Sequence, residues 1–180
     1  MRITKGNTTA LFIDFQERLL PAMNEKETLL KNTKMLFEGL TILGIPTTFT
    51  QQYTKGLGET IDEFKSLVPG FTPIEKTDFS CVGVEEYTEF LHHHQSKTII
   101  LCGIEAHVCV LQTAVDLKEA GFHPIVVTDC ITSRNATSKD TAIERFRFEG
   151  IMMATSESIL FELTRSAKAD EFRAISKLVK

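Results

Sequence analysis

Short apolar runs alternate with longer amphipathic ones along most of the chain. Thr8-Thr9-Ala10-Leu11-Phe12-Ile13 runs without a charged residue, which predicts a strand buried on both faces. Leu29, Thr33, Leu36, Leu40 and Leu43 recur at steps of four, three, four and three, one stripe of a helix. Gly44 ends that helix, and Ile45 to Thr50 restarts a strand with Pro46 at its beginning. From Gln51 to Phe79 the chain is irregular and rich in Gly, Thr and Pro, with one short helical piece near Thr60–Leu67. Lys97 to Leu101 is the clearest internal strand, followed by a helix from about His107 to Ala120 that Gly121 stops. Pro124 to Thr128 predicts another strand, Thr137 to Glu149 a helix stopped by Gly150, and Ile151 to Ala154 a short last strand. Phe172, Ile175 and Leu178 mark a C-terminal helix.

Strands separated by helices imply right-handed βαβ units, hence an α/β fold: a doubly wound, Rossmann-like parallel sheet flanked by helices. In such sheets ligands sit beyond the carboxyl ends of the strands, where the strand order reverses. With 180 residues and no internal repeat or linker, residues 1–180 read as a single domain. A domain of that size buries about 70% of the surface of its unfolded chain, so it needs no disulfide or metal staple.

Charge narrows the class of partner. Twenty basic against 24 acidic residues leave a net charge of −4, and Trp is absent. A basic footprint for nucleic acid or an anionic membrane surface is missing, and no apolar run approaches the roughly 20 residues of a membrane span. The segment Met1 to Asn7 has no following apolar stretch with a cleavage site, so no secretory leader is predicted. Cys81, Cys102, Cys109 and Cys130 are irregularly spaced and form no Cys-x-x-Cys pair, which points to a cytoplasmic or other reducing intracellular setting.

Several common motifs fail. Gly56-Leu57-Gly58 opens like a dinucleotide loop, but Ile61 stands at the third glycine position. There is no Walker A loop, Gly-x-Ser-x-Gly elbow or His-Glu-x-x-His. His92-His93-His94 cannot close on one ion from a helix, because consecutive residues point about 100° apart; an exposed helix end is expected there.

Polar residues at strand ends remain. Asp14 ends the first strand, either as a loop cap or as a carboxylate at the ligand edge. Lys76 follows Pro73-Ile74-Glu75 in a short extended stretch and reads by default as a surface lysine. Cys109 falls near the start of a helix after a strand and a turn, where amide N–H groups and the helix dipole lower a thiol's pKa and can receive an oxyanion. Its plain alternative is a small buried hydrophobe, a role that fits Cys102 better. Cys81 and Cys130 lie near loops with no activating group beside them in the sequence. Asp, Lys and Cys together are chemically sufficient for attack on a carbonyl.

The stretches Leu11-Phe12-Ile13-Asp14-Phe15-Gln16, Glu75-Lys76-Thr77-Asp78-Phe79-Ser80 and Cys102-Gly103-Ile104-Glu105-Ala106-His107-Val108-Cys109-Val110 resemble the isochorismatase-like cysteine hydrolases. The resemblance spans nearly the whole chain and is closest to the isochorismatase domain-containing subgroup, through Gln52 to Gly58, Ser133-Arg134, Thr155-Ser156-Glu157 and the ending Ile175 to Lys180.

It implies Asp14 as general base, Lys76 as charge partner and Cys109 as nucleophile. It further implies a cis bond at Ile104–Glu105 and an oxyanion hole from the Glu105 and Cys109 N–H groups, with Gln16, Gln52 and Phe79 lining the pocket. The nicotinamidases of this superfamily bind a metal through an Asp and two His residues after the second strand. Thr50 to Gly70 holds no His, so no metal or cofactor is expected. True isochorismatases lack the cysteine. The expectation is a metal-independent hydrolase of a small amide, carbamoyl compound or ester, acting through a thioester, with a small-molecule substrate and a homo-oligomeric state. The alternatives are a catalytically quiet oligomeric scaffold and a thiol sensor that keeps the fold.

Overall fold

The computed structural model describes residues 2–180. Its strands are β1 Thr8–Ile13, β2 Thr47–Gln52, β3 Ile74–Lys76, β4 Thr98–Ile104, β5 His123–Thr132 and β6 Met152–Ala154. The helices are α1 Lys26–Ile42, α2 Thr54–Leu57, α3 Asp62–Lys65, α4 Glu85–His93, α5 Leu111–Glu119, α6 Ala136–Phe148, α7 Ser156–Thr164 and α8 Phe172–Leu178. The six strands form one sheet in the order β3-β2-β1-β4-β5-β6, every neighbouring pair parallel. The winding therefore reverses between β1 and β4. That crevice is where a doubly wound sheet presents its ligand site.

Alternation along the strands builds two cores. Ala10 and Phe12 of β1, with Ile100, Cys102 and Ile104 of β4, face the layer of α1, α7 and α8, where Phe12 stacks on Phe49 at 4.8 Å between ring centroids. Leu11 and Ile13, with Ile99 and Leu101, face α4, α5 and α6 through Tyr87, Leu91, Val110, Leu117 and Phe146. Because both faces are covered, all six residues of β1 are buried, as its unbroken apolar run predicts.

Three local features depart from the sequence reading. The helix predicted from His107 begins as a five-residue π turn, Ala106–Val110, and becomes α-helical only at Leu111. Strand β5 continues past the polar Thr128-Asp129, because its pairing to β4 resumes after a bulge: Leu101 faces Val126, and Gly103 faces Ile131. Helix α7 was not anticipated at all. Thr155 caps it reciprocally with Ser158, and Ile159, Leu160 and Leu163 supply its buried stripe. Leu160 packs where α1 has Gly39; a Cβ there would lie 2.5 Å from a Leu160 methyl, so a larger residue would force the Leu160 side chain to shift.

Candidate active site

Strand β1 ends in register with Gly103 of β4. Gly103 has φ +137°, and a Cβ on it would stand 2.3 Å from the Ile13 carbonyl oxygen. Only glycine lets the two strands approach this closely just before their polar ends. The next residue of β1, Asp14, takes a left-handed φ of 55° and turns its carboxylate into the protein, fully buried. Thr50 Oγ1 donates to Asp14 Oδ1 at 2.7 Å, and Lys76 Nζ donates to Oδ2 at 2.8 Å.

Lys76 is not a surface lysine. Its side chain and that of Asp14 are both 0% exposed, and Nζ also donates to Gln52 Oε1 at 2.6 Å and to the carbonyls of Asp78 and Phe79 at 3.3 and 3.2 Å. Burial alone would lower the ammonium's pKa, but the Asp14 carboxylate first, and the Cys81 and Cys109 sulfurs where they ionise, outweigh burial and hold the pKa above its ordinary value. The edge strand β3 thus brings Lys76 alongside Gln52 at the end of β2.

Cys109 lies in the π turn on the other side of the crevice, at 6% exposure. Its thiol is pushed up to about 12, first by burial and then by the Asp14 carboxylate, with Lys76 opposing. The lowered pKa expected from the helix terminus is therefore overturned: a sealed site and a neighbouring carboxylate outweigh the amide dipoles. At rest the group is a thiol beside a carboxylate. The Ile104–Glu105 peptide is cis, and the Glu105 side chain, 6% exposed, is held by Arg134.

The remaining candidates divide. Gln52 is a support for Lys76: its Oε1 takes the ammonium and its Nε2 donates to the Thr77 carbonyl at 2.6 Å. Gln16 has both ends of its amide bonded to backbone, Nε2 to the Gln52 and Gly58 carbonyls and Oε1 to the Gln52 N–H. It staples the end of β1 to β2 and to the loop after α2, which leaves no donor for a ligand. Phe79 is 52% exposed, and the atom it contributes at the site is its carbonyl oxygen. A cleft of about 240 Å³ opens elsewhere, lined by Glu25, Asn32, Asp129 and Lys139 among others, but none of Asp14, Lys76 and Cys109 forms its walls. His92 and His93 end α4 and are exposed.

The isochorismatase domain profile matches residues 8–158, a span that holds all three of Asp14, Lys76 and Cys109. The chain belongs to the isochorismatase domain family. Isochorismatase domain-containing protein 2 of Danio rerio is 34% identical over 178 residues, covering 99% of this chain and 89% of the relative. A solved structure described as a MAR1 ribonuclease from Caenorhabditis elegans superposes with a TM-score of 0.93 at 34% identity, covering 99% of this chain and 92% of that one. The YcaC gene product of Escherichia coli, an octameric hydrolase of unknown specificity, shares the fold with a TM-score of 0.92 at 24% identity, covering 99% and 89%. Family membership supports a hydrolase of this superfamily. Among the described residues, no helix is long and apolar enough to cross a membrane.

Within this isochorismatase-family site, three residues escaped the reading of the sequence. Thr50 looked like any strand residue, and only the register of β1 with β2 places it against Asp14. Cys81, expected to have no activating group, is fully buried beside Lys76, its N–H donating to Thr113 Oγ1 at 3.1 Å one turn beyond Cys109. Burial pushes its thiol up to about 11 despite the ammonium. Arg134 was visible only as part of a subgroup motif. No local pattern signals that it reaches Glu105.

Proposed function

We propose that the chain is a metal-independent cysteine hydrolase that cleaves a small amide, carbamoyl compound or ester through a thioester on Cys109. The observation that carries this reading is the sealed Lys76–Asp14 pair standing against a thiol. A buried ammonium and carboxylate are expensive to desolvate, and their placement next to the most accessible of four buried cysteines is what acyl transfer requires.

Asp14 takes the thiol proton as the Cys109 sulfur attacks the carbonyl carbon, while Lys76 stays an ammonium throughout. The charge that develops on the carbonyl oxygen is received by the Glu105 and Cys109 N–H groups. The tetrahedral adduct then expels the amine or alcohol, which takes the proton back from Asp14, and the acyl group is left as a thioester. Asp14 next removes a proton from water; the hydroxide attacks the thioester, the acid departs, and the sulfur recovers its proton.

A phosphodiester substrate, which the ribonuclease description of one relative would imply, is disfavoured by charge. A net charge of −4 opposes a polyanion, and the candidate donors are two backbone N–H groups in a sealed site. Four free cysteines fit a reducing compartment, and self-association is the expected state. The test is hydrolysis of a panel of small amides, carbamoyl compounds and activated esters by the purified protein with and without chelator. Turnover that survives the chelator and vanishes in Cys109→Ala supports the reading. Turnover retained in Cys109→Ala would refute it. A folded protein that turns over nothing in the panel would favour the scaffold or sensor alternatives.

A further inference from the structure

We propose that Arg134 is a positioning residue for this chemistry, holding through the Glu105 carboxylate the peptide N–H that receives the oxyanion; this rests on the hydrolase reading above. Strands β4 and β5 end side by side, with Ile104 facing Thr132. Glu105 follows the first and Arg134 lies two residues past the second. Arg134 Nη2 donates to Glu105 Oε1 at 2.8 Å, Nε bridges both carboxylate oxygens at 3.1 Å, and the Arg134 backbone N–H donates to Oε2 at 3.1 Å. His107 Nδ1 and Ser133 Oγ, at 2.9 Å, tie the same two segments a second time. The π turn that carries Cys109 is therefore moored at its first residues to the end of β5.

The pairing also answers a question of charge. A buried carboxylate on the very residue whose N–H is to receive an oxyanion would oppose that oxyanion if left unpaired, and the guanidinium neutralises it. Burial raises the Glu105 carboxyl, and the Arg134 hydrogen bonds and charge outweigh burial and hold it below its ordinary value. The guanidinium itself is 66% exposed. An exposed pair whose partner faces solvent contributes little to stability. Here the carboxylate end is buried on the residue that opens the Cys109 turn, which gives the pair a task beyond stability.

The experiment compares two reagents at Cys109. Acetylation by p-nitrophenyl acetate passes through an oxyanion; alkylation by iodoacetamide is a displacement at carbon and does not. The variant is the double change Arg134→Met with Glu105→Gln, which removes the mooring while leaving the summed charge of the pair at zero. Acetylation is expected to fall roughly 10–100-fold, short of the ~10²–10³ for outright loss of an oxyanion donor, while alkylation stays within about twofold. Arg134→Lys, which keeps the charge but not the fork, recovers only part of the acetylation rate, and it supplies the comparison if the double variant does not fold. Equal changes with both reagents, or acetylation unaltered in a folded variant, overturn the assignment. The second of these outcomes is the one expected if the guanidinium merely grips an anionic substrate, because the probe is neutral. Wild-type protein that alkylates at Cys109 but never acetylates there overturns the hydrolase reading as well.

Discussion

Asp14 and Glu105 are both carboxylates just past the ends of neighbouring strands, both buried and both paired with a cation, yet the two sides of the crevice treat them differently. On the β1-β2-β3 side, Lys76 and Asp14 are each 0% exposed, and every recorded partner of the ammonium is another buried or backbone oxygen. On the β4-β5 side, Glu105 is 6% exposed, but its Arg134 is 66% exposed. Water and salt cannot screen the first pair, and they reach half of the second. The sealed pair suits proton transfer, since its carboxylate stands beside Cys109, which at 6% exposure is less buried than Cys81 at 0%. The open pair suits positioning, since it fixes a backbone segment without adding net charge to the turn that carries Cys109.

The comparison is broken most forcefully at Lys76. Lys76→Met is expected to reduce acyl transfer by ~10²–10⁴-fold and to cost about 3–5 kcal/mol in a urea melt, because it strands a buried carboxylate. Adding Asp14→Asn should return most of the stability and none of the activity. Equal stability of the single and double variants would show that the pair is not sealed.

Asp14→Asn separates the two duties proposed for that carboxylate. Turnover should collapse, while iodoacetamide alkylation of Cys109 at neutral pH should rise, by about tenfold for each pKa unit by which the thiol falls. The reason is that Asp14, after burial, is what drives that thiol up to about 12. Slower alkylation in this variant would show that loss of the base outweighs relief of its charge, and would contradict the electrostatic account of the raised thiol.

Titration then distinguishes the pairs. The folded-state values of Cys109 and Cys81, about 12 and about 11 against an ordinary 9.0, lie above those of the unfolded chain. Their contribution to stability is therefore full below about pH 9 and is lost as pH rises toward the folded values. Glu105 is shifted the other way, so its contribution is present above the ordinary carboxylate value of 4.5 and is lost as pH falls through its lower folded value. Urea melts across pH should show wild type losing stability above pH 9 and the Arg134→Met, Glu105→Gln variant losing less of it in acid. The smallest effect belongs to a pair nearer the surface, in which neither side chain is buried. Arg145→Ala, which removes the i,i+4 bridge to Glu149, should change stability by under about 1 kcal/mol and leave acyl transfer untouched.

Much of the fold is legible in the chain because its signals are local. The unbroken run Thr8–Ile13, the stripe from Leu29 and the glycines at helix ends each follow from nearest neighbours, and their alternation implies the parallel sheet. Helix α7 was obscured because Ile159-Leu160-Phe161 follows a cap of Thr and Ser residues, and three adjacent apolar residues carry no period. Asp14 is recognisable at a strand end and Cys109 near a helix start. The burial of Lys76 is not, since Ile74-Glu75-Lys76 is a three-residue edge strand and only its pairing with Thr50–Gln52 turns the lysine inward. The contacts of Thr50, Cys81 and Arg134 are long-range in the same sense. So is the thiol's raised pKa: the helix terminus is visible in sequence, whereas the desolvation that outweighs it comes from the packed whole.

The most direct test of the central claim is the intact mass of the protein after brief exposure to p-nitrophenyl acetate at neutral pH, followed by peptide mapping. The account expects one acetyl group, on Cys109, that disappears with time as water hydrolyses the thioester and that persists in Asp14→Asn protein first acetylated at high reagent concentration. An acetyl group on Cys81 or on a lysine, or one on Cys109 that wild type and Asp14→Asn shed at the same rate, would contradict it.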